Sequence, residues 1–228
     1  MGGGGVMRRT MLSVSGVIAQ SVPFDPTSIS GLQVWLDASD RGSTTNRWDD
    51  KSGNNNHYTA ASAGEFPTFS GGVATFNGTS HHLDGPSLAG LTAGSVFIRI
   101  KKPGADPFDS TTGIAHFGTN GANNHYTYGG TIYIGFGINA RPVWGTGGDE
   151  LVWHNLSTEV SAAGAYKGHT HNVLRYSGTH APSWNSAPTF GKSIGGFYLT
   201  ADVKALCIYN KVLSTEERSS LETYLDEL

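Results

Sequence analysis

Cysteine is all but missing from this 228-residue chain. Cys207 stands alone, so no internal disulfide can form and packing must hold the fold together. Charge is sparse as well. Only 14% of residues are charged, the formal net charge is -3, and no Lys/Arg cluster exceeds a pair, which excludes a nucleic-acid surface. No stretch approaches the roughly 20 apolar residues that a membrane span requires. Nor does the chain carry a nucleophile elbow, a phosphate loop, a paired-cysteine motif or an internal repeat.

Turn chemistry is what the chain has in plenty. Thirty-two glycines, nine prolines and many Ser, Thr and Asn residues suit short strands joined by tight loops. With no linker after Pro26, the length fits one all-β domain. Ile29 to Ala38 reads as a first strand, with Leu32, Val34 and Leu36 on one face and Trp35 on the other. Ser95 to Lys101 alternates more regularly, Val96, Ile98 and Ile100 inward against Phe97 and Arg99. Asn77-Gly78 predicts a hairpin turn leading into Ser80 to Leu83. Tyr126 to Tyr128 and Thr131 to Ile138 read as an aromatic hairpin, and His171 to Tyr176 as a later strand.

The close of the chain is the best patterned. Val203 to Tyr209 is apolar on both faces, the mark of a strand buried on two sides. Ser214-Thr215-Glu216-Glu217 fits a capping box, and Leu221, Tyr224, Leu225 and Leu228 follow one helical stripe. The run Ile208-Tyr209-Asn210-Lys211-Val212-Leu213-Ser214-x-x-Glu217, ending Tyr224-Leu225, resembles the close of a laminin-G-like or concanavalin-A-like jelly-roll domain. The opening, Val34 to Asp40 and then Trp48 to His57, is similar to jelly-roll modules of bacteriophage virion proteins and of some bacterial surface proteins. The resemblance implies a two-sheet antiparallel jelly-roll β-sandwich over residues 29–228, with one C-terminal helix and an extended N-terminal arm over 1–28. Arg8, Arg9, Leu12 and Val14 are the arm's expected assembly contacts; the same stretch, with a basic start and a short apolar run, also has the outline of a signal peptide.

Function is less sharply marked, because this fold hosts lectins, glycanases and structural pieces alike. The Glu-x-Asp-x-x-Glu signature of concanavalin-like glucanases is missing, and Asp149-Glu150 would face opposite ways on a strand, so no enzyme is expected. No cofactor is required. Many laminin-G-like domains hold a calcium ion at a loop rim, and Asp37, Asp40, Asp49 and Asp50 could supply its hard oxygen ligands. His169 and His171 would share one face of an extended strand, a two-ligand start on a metal site. Sugars stack on exposed rings beside amides, which singles out Trp144, Trp153, Trp184, Tyr126 and Asn124, whereas Trp35 and Trp48 read as core. The phage-like opening implies a non-enzymatic component of a tailed-phage virion: a head decoration, head fibre or tail-associated protein. Its partners would be capsid or tail proteins and further copies of itself. The alternative is a lectin-like adhesion module, secreted or at a cell surface, that recognises host-surface glycans.

Overall fold

The computed structural model describes residues 24–104, 112–128, 130–145 and 150–228. The arm residues Arg8, Arg9, Leu12 and Val14 lie outside them, as does Asp149. In chain order the strands are β1 (Leu32–Asp37), β2 (Arg47–Trp48), β3 (Tyr58–Thr59), β4 (Thr68–Ser70), β5 (Val73–Asn77), β6 (Leu83–Asp84), β7 (Gly94–Lys101) and β8 (Ala115–Gly118). There follow β9 (His125–Tyr128), β10 (Thr131–Tyr133), β11 (Val143–Gly145), β12 (His154–Val160), β13 (Ala165–Thr170), β14 (Val173–Thr179), β15 (Trp184–Phe190) and β16 (Thr200–Tyr209). The helix α1 (Thr215–Glu227) closes the chain.

An eight-stranded sheet runs β14-β13-β12-β7-β16-β5-β4, with β1 also paired to β16. It faces a five-stranded sheet, β2-β3-β6-β15-β8, and a three-stranded sheet, β11-β10-β9, completes the body. The pairings are antiparallel, as in the expected β-sandwich. Val96, Ile98 and Ile100 enter the main core beside Leu206 and Ile208, meeting Trp48, Leu83, Phe117 and Phe190 from the smaller sheet. Rings lock this layer: Phe190 lies 5.3 Å from Phe76 and 6.1 Å from Phe117 between centroids.

The outer face of the large sheet carries a second core. Phe97, Ala205, Cys207 and Tyr209 pack there under Leu221 and Leu225 of α1. Burial pushes the Cys207 thiol far up, so it behaves as a small hydrophobe. The capping box forms as predicted: the Glu217 amide donates to Ser214 Oγ at 3.2 Å, and the Ser214 amide to Glu217 Oε2 at 2.9 Å. Polar groups fasten the helix along its length. Arg218 bonds Glu159, Ser157 and Glu222 with its guanidinium 5.0 Å from the Phe97 ring, and Arg99 meets Asp226 at 2.7 Å.

Four local expectations change. A register shift between Leu32 and Val34 swings Leu32 to the outer face with Trp35, because a bulge adds a residue and reverses the alternation. Asn77-Gly78 turns the chain, but β5 and β6 belong to different sheets, so the turn is a crossover and not a hairpin. There the Asn77 carboxamide oxygen accepts from the amides of Thr79, Ser80 and His81. His171 and Asn172 take positive φ in the β13–β14 turn, so His169 and His171 do not share a strand face. Finally, the folded body already includes Phe24, whose ring lies 5.8 Å from Tyr224, and buried Pro26, whose carbonyl accepts from the Tyr209 hydroxyl. Residues 24–28 are therefore part of the body and not of an arm.

Candidate functional site

The four aspartates expected at a calcium site lie around the end of β1, and each is engaged by hydrogen-bond donors. Asp37 Oδ1 accepts from the Ser39 amide at 2.8 Å and hydroxyl at 2.6 Å, capping a 3-10 turn over Ala38–Asp40. Lys51 Nζ reaches Asp37 at 3.5 Å and Asp40 at 3.3 Å while lying 4.7 Å from the Trp35 ring. Asp50 accepts from the amides of Trp35, Ser52 and Asn56 and from the Ser52 hydroxyl. Asp49 pairs with Arg47 and lies 3.6 Å from His57 Nδ1. Among the described residues no three His, Cys, Asp or Glu side chains converge to hold a metal. These carboxylates tie loop backbone together, and calcium would have to displace donors that Asp50 already has.

Beside them opens a shallow cavity of about 310 Å³, lined by residues 38–42 and the 69–72 turn. Gly71 and Gly72 take φ of 56° and 77°, a left-handed pair that lets β4 reverse tightly into β5. Arg41 lies 5.5 Å from the Phe66 ring and 5.6 Å from Phe69, two rings stacked 5.2 Å apart. Phe69 is anchored by an edge contact to buried Trp48 at 5.0 Å. The Asp40 carboxylate is 68% exposed at the mouth. Arg41, the partly bared Phe69, the exposed Asp40, Ser39 and Ser70 thus line one recess.

Most of the aromatic residues expected to face a sugar are inside. Trp144 and Trp184 are 5% exposed, Tyr126 and Asn124 fully buried. Trp144 stacks on Tyr176 at 5.9 Å and fills the space that Gly168 leaves without a Cβ. A Cβ at Gly94 or Gly137 would strike the Trp184 ring. The Tyr126 hydroxyl donates to His154 Nε2 at 2.9 Å, and Nδ1 of that histidine donates to the Val152 carbonyl at 3.0 Å. Burial pushes the His154 pKa down to about 4, with His171 and Arg99 adding to the effect, and the ring is neutral. Asn124 bridges the Ala115 carbonyl and the Gly135 amide. These side chains position strands and offer no ring or amide to a ligand.

Trp153 differs. Half-buried just ahead of β12, its ring has Lys204 Nζ at 4.7 Å and Lys101 Nζ at 5.0 Å. Sequence reasoning passed over both lysines, and Arg41, Phe66 and Phe69 as well. For Lys204 there was a signal, a charge placed in a strand that is otherwise apolar on both faces.

The antiparallel sheets, with a helix on the outer face of the larger one, define a concanavalin-like β-sandwich fold. The chain is similar to Trypanosoma rangeli sialidase in complex with sialic acid, with TM-score 0.65 and 14% identity over 87% of this chain and 33% of the sialidase. It is also similar to the botulinum neurotoxin serotype D ligand-binding domain in complex with N-acetylneuraminic acid, with TM-score 0.59 and 13% identity over 85% of this chain and 50% of that one. The receptor-binding domain of the botulinum neurotoxin C/D mosaic serotype gives TM-score 0.60 at 13% identity, over 85% and 51%. The chain thus spans about a third of the sialidase and half of the toxin domains. At such identities the likeness is one of fold. No family model matches the chain, and no curated protein matches its sequence.

Proposed function

We propose that this chain is a carbohydrate-binding module that holds glycans and does not cleave them. The observation that carries the reading is the open cavity of about 310 Å³ in which Arg41, Phe69 and Asp40 meet. Sugars are held by shallow sites that pair a ring with a few fixed hydrogen-bonding groups. The likeness to proteins captured with sialic acid supports it. Binding without turnover fits the carboxylates as well: buried Glu159 and Glu222 are both tied to Arg218. Among the described residues no helix is long and apolar enough to cross a membrane. Glycans of a host or cell surface are the class of ligand proposed.

The likenesses carry no link to a virion, so the phage reading, its capsid or tail partners and its homo-oligomer gain no support from them. The test is a glycan array followed by calorimetric titration of each hit. Arg41→Ala and Asp40→Asn, both at the cavity mouth, are expected to weaken binding by about tenfold or more while the melting temperature holds. An array without hits, or hits indifferent to both changes, would reject the reading.

A further inference from the structure

We infer that the half of the large sheet's outer face beyond the end of α1 is a second binding site, for a carboxylated sugar, built on Trp153, Lys101 and Lys204. α1 covers Phe97, Cys207 and Tyr209, while Lys101 and Lys204 lie further along the same two strands, where the sheet emerges past the helix C-terminus. A register shift between Val203 and Ala205 places Lys204 at a bulge, a common device for re-aiming a side chain. Its amine donates to the oxygen of Leu228 at the end of the helix, where a cation is favoured.

Three cations converge at this spot. Arg99 is paired with Asp226, and Lys101 lies 3.6 Å from Asp202, whose other oxygen accepts from Thr75. Among the described residues Lys204 has no Asp or Glu side chain in ion-pair range, and its partner is the oxygen of Leu228. Burial, with Arg99 and Lys101 nearby, pushes the Lys204 pKa down. A ligand carboxylate is met there by two ammonium groups beside one indole.

The same place has an apolar component. Leu151 and Val152, next to Trp153 in the chain, are 46% and 47% exposed. Together with the indole edge they offer a surface for the carbon face of a pyranose. Two ammoniums, an indole and two bare aliphatic side chains suit a sugar acid better than a free inorganic anion, which would gain nothing from the apolar part.

The site shares no lining residue with the rim cavity and is tested separately. The full chain is titrated at low salt with glucuronate and with N-acetylneuraminate, against glucose and N-acetylglucosamine, and then with inorganic sulfate. The acidic sugars are expected to bind and shift the Trp153 indole N–H resonance, with at least a tenfold preference over the neutral ones. Lys204→Gln and Lys101→Gln should each cut that affinity by about tenfold, and Arg41→Ala should leave it unchanged. Equal affinity for acidic and neutral sugars, or for sulfate alone, would overturn the inference, as would indifference to both lysine changes. The wild-type comparison needs no variant, so a poorly folding mutant cannot rescue the idea.

Discussion

Strands β7 and β16 run side by side through two unlike environments, and the end of α1 is the border between them. On one side Phe97, Cys207 and Tyr209 lie under Leu221 and Leu225, and the charged groups are cross-bonded through Arg218. On the other, Lys101 and Lys204 lie beside a half-buried tryptophan, the first near Asp202 and the second on the Leu228 oxygen. The first half has most of its polar atoms matched, Trp35 Nε1 and Arg99 Nε aside, and its apolar surface covered, so it serves stability. The second gathers cations around an indole and leaves apolar side chains bare, as ligand sites do. Helix length decides which part of a single sheet becomes core and which becomes surface.

The comparison can be broken most forcefully from the closed half. Leu225→Ala empties a fully buried position and should cost about 2–5 kcal/mol, read by chemical denaturation. A loss under about 0.5 kcal/mol would mean that α1 is not part of the core. Next comes Arg218→Met, which leaves Glu159 and Glu222 buried without their shared partner. Because the guanidinium keeps some solvent access, a cost of about 1–3 kcal/mol is expected, in the same assay.

Acid sharpens the contrast. His154 is neutral in the fold with its pKa at about 4, against about 6.5 unfolded. The unfolded chain therefore takes up its proton first as pH falls. Stability is full above about pH 6.5 and declines down to about pH 4, by roughly 3 kcal/mol in all. His169, held down to about 4 chiefly by burial, acts in the same direction. Denaturation midpoints at pH 7 and pH 4.5 test this, and His154→Gln should flatten the slope. The smallest stability effect belongs to the open half: Lys204→Gln should change the melting midpoint by an amount worth about 0.5 kcal/mol or less, while altering binding.

The sequence made parts of this legible and hid others. Val96, Ile98 and Ile100 declared their face because β7 keeps a strict alternation, and Ser214 to Glu217 declared the helix start because a capping box is local. The bulge at Leu32 to Val34 carries no such mark, so Leu32 was expected on the wrong face. Trp144, Trp184 and Tyr126 read as candidates because tryptophan and tyrosine look alike in a core or at a sugar site. What decides is whether Gly168, Gly94, Gly137 or His154, distant in sequence, come to meet them. The open half was invisible for the same reason, since Lys101, Trp153 and Lys204 converge only once β7, β12 and β16 are paired.

Following all five indole N–H resonances while N-acetylneuraminate is added puts the division of the outer face to its most direct test. Trp153 should shift with saturable dependence on ligand, while Trp48, Trp144 and Trp184, buried in the main core, stay still. A silent Trp153, or movement confined to the core tryptophans, would contradict it.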